Sequence, residues 1–278
     1  NALISSRVLI SRFTTLMSFE TIIVNKKEKI TRITLNRPNS LNAINPKMHD
    51  ELQMAFDDFA GDSSQWLAVL EGAGHKAFCA GSDLKEMARS EGHKKPYPTS
   101  GYGGLVERYD LFKPVLAAVD GYAVGGGFEL ALACDLIIAT TRSTFGLPEP
   151  LIGAVAVGGG VHRLSRQIGL KQAMGLILSG RNIPAKQAFD LGVITELVEP
   201  ENLEDSIQQW CTDILRCAPL AVQASKEAAM KGLDEKDLKS AISSQESYSI
   251  FSKMQNSNDR IEGPKAFSEK RPPRWSGD

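Results

Sequence analysis

The stretch "GYAVGGGFELALACD" (residues 121–135) decides the architecture. Its three consecutive glycines, Gly125, Gly126 and Gly127, follow the apolar run "PVLAAVDG" and open what reads as a helix. Consecutive glycines cost chain entropy on folding, but they let another group come close to the backbone. A helix start also leaves N–H groups without intrahelical partners, at the positive end of the dipole. The combination suits an oxygen on which negative charge develops. A tight turn with close helix–strand packing is the structural alternative. The fourth residue of this helix is Glu129, and its neighbours in "FELALAC" are apolar nearly all round, so the helix is expected to be buried. Acids are favoured in a first helical turn by the dipole, yet such acids usually face water. A carboxylate buried without a partner costs on the order of several kcal/mol.

Outward from this stretch, strands and helices alternate. "WLAVLEG", "PVLAAVDG" and "CDLIIAT" are near-continuous apolar runs, the pattern of strands covered on both faces. Upstream, "FETIIVNKKEKITRITLNRP" reads as a β-hairpin with "NKKEK" as its turn. Pro46 opens a helix whose apolar stripe is Met48, Leu52, Ala55, Phe56 and Phe59. Residues 92–104, rich in Lys, Pro and Gly, read as a mobile loop. Beyond residue 158 the pattern turns helical, with "ITELVEP" as one short strand. The parse is an N-terminal extension (1–16), an α/β core (17–215) and a helical C-terminal region (216–278).

The chain has 278 residues, a hydrophobic fraction of 42% and a charged fraction of 23%, values of an ordinary globular protein with a sizeable core. Its formal net charge is −1, which gives no electrostatic reason to expect nucleic acid or an acidic membrane surface as partner. No apolar run is long enough to cross a bilayer. Cys79, Cys134, Cys211 and Cys217 form no C-x-x-C pair and sit in apolar contexts, so buried free thiols of a reducing compartment, the cytoplasm, are expected. His49, His75, His93 and His162 show no i, i+4 spacing, and no zinc site is expected. Residues 1–16 carry Arg7 and Arg12, no acid, and several Ser and Thr. They resemble a transit peptide in composition, which would imply the mitochondrial matrix as the alternative to the cytoplasm; an upstream extension before Met17 and a vector-derived remnant are the plainer readings.

Two further segments carry chemistry. In "KAFCAGSDLKEM", the small residues Ala80, Gly81 and Ser82 make a strand-to-helix turn able to aim another N–H into the same pocket. Ser82 lacks the G-x-S-x-G frame of a nucleophile, and Asp83 suits an N-cap. In "STFGLPEPLIG", Glu149 lies between Pro148 and Pro150, which stiffen the segment that bears it and are expected to keep it non-helical. Rigid support suits a reacting carboxylate; an exposed acid on a proline-rich turn is the plain alternative. No G-x-G-x-x-G or G-x-x-x-x-G-K-[ST] occurs, which argues against a dinucleotide-dependent dehydrogenase.

Together "RPNSLNAI", "KAFCAGSDLKEM", "GYAVGGGFELALACD" and "FGLPEPLIG", with the tail "EGPKAFSEKRPP", resemble the crotonase, or enoyl-CoA hydratase/isomerase, superfamily over residues 18–273. The resemblance implies an α/β fold: a right-handed spiral of ββα units followed by helices that build trimers, often paired into hexamers. It implies an acyl-CoA thioester as substrate and no separate cofactor, coenzyme A arriving as part of the substrate. It places the thioester oxygen between the backbone N–H groups of Ser82 and Gly126. It assigns acid–base work to Glu129 and Glu149, whose spacing matches the hydratase branch. It assigns coenzyme A contacts to the turn Ala80, Gly81, Ser82, Asp83, Leu84 and Lys85 and to the backbone near Ala43. The segment "PLIGAVAVGGGVHRL" departs from the form common in short-chain hydratases and is closer to carnitinyl-CoA dehydratases and general hydratase/isomerases, which leaves the acyl group open. The expectation is therefore an enoyl-CoA hydratase. The alternatives are an isomerase or carnitinyl-type dehydratase on the same fold and, from another class, a non-catalytic binding or scaffold member.

Overall fold

A computed structural model describes residues 19–89 and 96–278. The expectations for residues 1–16 and for the start of the 92–104 loop lie outside the described residues. The described residues open with strands β1 (Ile22–Lys27) and β2 (Ile30–Leu35), helix α1 (Pro46–Gly61), strands β3 (Leu67–Gly72) and β4 (Ala77–Cys79), and helix α2 (Leu84–Arg89). Strands β5 (Val115–Val119) and β6 (Tyr122–Val124) lead into α3 (Gly126–Ala133), followed by β7 (Leu136–Thr140) and β8 (Thr144–Gly146). Helices α4 (Gly160–Gln167) and α5 (Leu170–Ser179), strand β9 (Ile183–Pro184), helix α6 (Ala185–Asp190) and strand β10 (Glu196–Val198) come next. The chain ends in α7 (Leu203–Leu215), α8 (Pro219–Gly232), α9 (Leu238–Ser244), α10 (Ser249–Gln255) and α11 (Asn258–Ser268).

Among the described residues the strands form two sheets, one of six in the order β1-β2-β3-β5-β7-β10 and one of four in the order β4-β6-β8-β9. Apart from the three-residue β10, which pairs with β7, long strands pair with long ones and short strands with short ones, so each long-strand, short-strand, helix turn stacks on the last. Side chains alternate across the long strands, as the pleat requires. Ala68 and Leu70 of β3, and Val115, Ala117 and Val119 of β5, face the main core. Leu67, Val69, Leu116 and Ala118 point to the other face, which Ile207 and Cys211 of α7 cover. Two-sided burial accounts for the unbroken apolar runs.

Local chemistry explains most element boundaries. The side chain of Asn45 caps α1 by accepting from Met48 N–H, Pro46 takes a position where the N–H is spare, and all five residues of the expected stripe are buried. The hairpin differs from the reading of its turn. β1 runs on through Asn25, Lys26 and Lys27, and the reversal falls at Glu28, which has φ 53°. The charges of "NKKEK" therefore ride largely on a strand with an exposed face. Cys79, Cys134 and Cys211 are buried free thiols, but Cys217 is exposed at the end of α7.

Residues 96–104 also differ from the mobile loop expected there. Tyr102, Gly103 and Gly104 form a buried 3-10 turn against α1. Gly104 has φ +61°, and a Cβ there would stand 2.5 Å from the Gln53 Cα. These glycines serve close packing rather than mobility.

Candidate active site

The short sheet assembles the site. β4, β6 and β8 are adjacent and parallel, with Cys79 beside Ala123 and Val124 beside Gly146. Their C-terminal ends therefore release three turns side by side: Ala80–Gly81–Ser82, Gly125–Gly126, and Leu147–Pro148–Glu149. The turns are tied together. Gly125 N–H donates to Gly146 O at 2.9 Å, and a Cβ on Gly81 would meet the Gly126 nitrogen at 3.1 Å. Ligands commonly bind outside the carboxyl ends of parallel strands.

A cavity of about 260 Å³ opens there, lined by Ala80, Gly81, Ser82, Leu84, Gly126, Glu129 and Glu149 among others. Seven of the residues expected from the sequence thus share one cavity. Ala43, Asp83 and Lys85 lie outside its lining. The Ala43 carbonyl accepts from Arg37 Nη1 at 2.6 Å. Asp83 pairs with Arg37 at 2.9 Å and its Oδ1 accepts from Glu86 N–H at 3.2 Å, the N-cap role for α2. Lys85 is exposed on α2.

The three glycines at the α3 start answer to different neighbours. Gly125 has φ 57° and stands before the helix. A Cβ on Gly126 would lie 2.2 Å from the Tyr102 Cζ, and one on Gly127 would lie 2.0 Å from the Cys79 carbonyl oxygen. Packing and chemistry coincide here. The Gly126 N–H heads the helix, and Ser82 sits in a single parallel bridge to Ile44. Neither N–H donates to a backbone oxygen of the described residues.

Glu129 is 3% exposed, in the first turn of α3. Its Oε1 accepts from Gly160 N–H at 2.8 Å, at the first residue of α4. The carboxylate thus lies at the start of a second helix, whose glycines make room for it. A Cβ on Gly158 would stand 2.7 Å from Glu129 Oε2, and one on Gly160 2.9 Å from its Cγ. Burial pushes its pKa up to about 7, further raised by the Glu149 charge and held back by the N–H groups of Gly160 and Gly158 and by Arg163.

Glu149 opens a 3-10 turn (Glu149–Ile152), where a non-helical segment was expected. Pro150 falls in the first positions of that turn, where its missing N–H leaves no bond unmade. Gly153, with φ 72°, closes the turn. Burial raises the Glu149 pKa as well, and its Oε2 is buried with no hydrogen-bond partner. A buried carboxyl oxygen without a partner favours the protonated form of the acid.

Among the lining or supporting residues missed by sequence reading are Tyr97, Tyr102, Gly158 and Gly160. Both tyrosines line the cavity. The signals were a second run of three glycines, residues 158–160, ahead of a helix, and a tyrosine set among Gly101, Gly103 and Gly104.

A family model described as enoyl-CoA hydratase/isomerase matches residues 25–278. A carnitinyl-CoA dehydratase of Proteus mirabilis is 37% identical over 266 residues, covering 93% of this chain and 99% of the relative. A carnitinyl-CoA dehydratase of Salmonella arizonae is 38% identical over the same length and coverage. The crystal structure of an enoyl-CoA hydratase from Mycobacterium tuberculosis superposes with a TM-score of 0.86 at 39% identity, covering 93% of this chain and 99% of that one.

Proposed function

The chain belongs to the enoyl-CoA hydratase/isomerase family, and we propose that within it this protein adds water across the 2,3 double bond of an acyl-CoA thioester. One observation carries the reading: a buried acid, Glu129, and a half-buried one, Glu149, line the same cavity as Ser82 and Gly126, whose N–H groups have no backbone partner among the described residues.

The chemistry follows from that layout. The thioester oxygen accepts from Ser82 N–H and Gly126 N–H, which polarise the conjugated alkene. Glu129, ionised, takes a proton from water as the hydroxide oxygen bonds to Cβ. The π electrons move towards the thioester oxygen, giving an enolate. Glu149, protonated, then gives its proton to Cα. The pair begins and ends with one proton, which returns from Glu129 to Glu149 before the next turnover. Burial raises the pKa of both acids and the Glu149 charge raises that of Glu129 further, so one shared proton is favoured over two charges. Each backbone donor is worth about 3–4 kcal/mol to a developing oxyanion in such sites.

Run backwards, the same steps eliminate water from a 3-hydroxyacyl thioester. The carnitinyl-CoA dehydratases among the relatives favour testing that direction. The helical end of the chain presents Leu233, Leu238, Ile242, Ile261 and Phe267 to solvent, and we propose that these faces meet in a homotrimer. The experiment is to follow the enoyl-thioester absorbance on adding the protein to a chain-length series of 2-enoyl-CoAs, with carnitinyl-CoA alongside. Loss of absorbance with the enoyl series is the expected outcome. No turnover of any member in either direction would leave a non-catalytic binding role.

A further inference from the structure

Tyr102 touches both turns that bear the proposed donors, and the backbone at Gly158. Its hydroxyl accepts from Ser82 Oγ at 3.2 Å. The phenol end of its ring lies against Gly126, since a Cβ on that glycine would fall 2.2 Å from Cζ and 2.3 Å from Oη. Its own Cβ backs Gly158, where an added methyl would stand 3.2 Å away. Gly160 donates its N–H to Glu129, and Gly158 lies against the same carboxylate, where an added Cβ would stand 2.7 Å from Oε2.

Tyr102 is itself held. It is 2% exposed. Its ring meets the His49 ring edge-on, with centroids 4.7 Å apart, and the Tyr97 ring edge-on at 5.4 Å. The next residue, Gly103, donates its N–H to His49 Nδ1 at 2.9 Å. His49 belongs to α1, so the ring is anchored to the long helix that fills the core.

We propose that Tyr102 is a positioning residue that sets the gap between the Ser82 and Gly126 N–H donors, acting as a strut between the two turns. The inference rests on the reading of those N–H groups as donors to a thioester oxygen. A mainly apolar contact places one turn and a hydrogen bond places the other. No covalent or main-chain hydrogen bond joins Ser82 to Gly126 among the described residues. The oxyanion site needs its donors fixed to within about 0.5 Å, and a side chain wedged between them supplies that constraint. Tyr102 also lines the cavity, but in this scheme it acts through the two donors, so its loss falls mainly on transition-state stabilisation rather than on binding of the coenzyme A portion.

The test uses Tyr102→Leu, which removes ring and hydroxyl, and Tyr102→Phe, which keeps the ring and cuts the link to Ser82. Two readouts are taken: kcat and KM on the best enoyl-CoA, and the infrared carbonyl stretch of bound butanoyl-CoA labelled with ¹³C at the thioester carbon. Butanoyl-CoA is saturated and is not hydrated. In the wild type the stretch moves to lower wavenumber on binding, as the donors polarise the carbonyl. Tyr102→Leu is expected to lose most of that shift and to lower kcat by about 10²-fold with KM within about threefold. Tyr102→Phe is expected to lose part of the shift and about tenfold in kcat. A folded Tyr102→Leu protein with the full wild-type shift overturns the proposal. If circular dichroism shows Tyr102→Leu unfolded, Tyr102→Phe decides, and a wild-type shift with wild-type kcat in that variant overturns it equally. A wild-type protein that binds butanoyl-CoA with no shift refutes the donor reading itself, a result distinct from failure of the strut.

Discussion

Glu129 and Gly160 belong to different helices, yet the carboxylate of the first accepts the N–H that heads the helix of the second, at 2.8 Å. The bond does two things. It fixes a buried carboxyl group in one orientation, and it opposes the rise in pKa that burial imposes.

The first consequence is a pH dependence of stability. Glutamate has a reference value of 4.5 and Glu129 is raised to about 7 in the fold. The folded state therefore binds this proton more tightly than the unfolded chain does. Its contribution is fully present below about 4.5 and is lost as pH rises through about 7, roughly 3 kcal/mol in all. Glu129→Gln has no such titration. Its Tm relative to wild type is expected to rise by about 5 °C between pH 4.5 and pH 8. Melting curves of the two proteins that stay parallel over that range would contradict the assigned shift.

Kinetics test the division of labour. Glu129→Gln and Glu149→Gln are each expected to lower kcat by about 10²–10⁴ with binding of a saturated acyl-CoA nearly intact. Near-normal turnover of every enoyl-CoA by either variant would sink the two-acid mechanism.

Gly160 probes the support of Glu129 without touching its chemistry. Its φ is not in the left-handed region, but an added Cβ would press on Glu129 Cγ at 2.9 Å and Oε1 at 3.0 Å. Gly160→Ala is expected to cut kcat by about 10–10² and leave KM nearly unchanged, because the displacement falls on one reacting group. Equal kcat in a folded alanine variant would show that Glu129 has room to move.

Two other glycines separate packing from catalysis. Gly127→Ala would drive a methyl into the Cys79 carbonyl, 2.0 Å away, and is expected to cost about 3 kcal/mol or more. Gly175, in α5, has nothing within 4 Å of an added Cβ. Gly175→Ala should stabilise the fold by about 0.5–1 kcal/mol. Denaturant midpoints for the two variants moving in the same direction would contradict this reading.

The last expectation concerns assembly. Phe267 is 86% exposed, and Leu233 and Leu238 are each 75% exposed. Apolar side chains this open on the terminal helices call for a partner surface. Sedimentation equilibrium at micromolar concentration should give the mass of a trimer or hexamer. A monomer would mean that these faces stay in water.

Much of the protein was legible in the residues themselves. The unbroken apolar strands, the 3.6-residue stripe of α1 and the helical end follow from periodicity, which is a local property. Glu129 stood out because its helix has no polar face for it, and Glu149 because two prolines flank it. What the sequence could not show was the sheet of two- and three-residue strands β4, β6, β8 and β9, each too short to display a period. That sheet brings Ser82, Gly126 and Glu149 together, from segments dozens of residues apart. Nor could spacing show that the glycines around Tyr102 serve contact rather than mobility, or that Gly158 and Gly160 leave room for a carboxylate. A glycine reads the same in sequence whether it frees the chain or admits a neighbour, and only the folded packing decides which neighbour arrives.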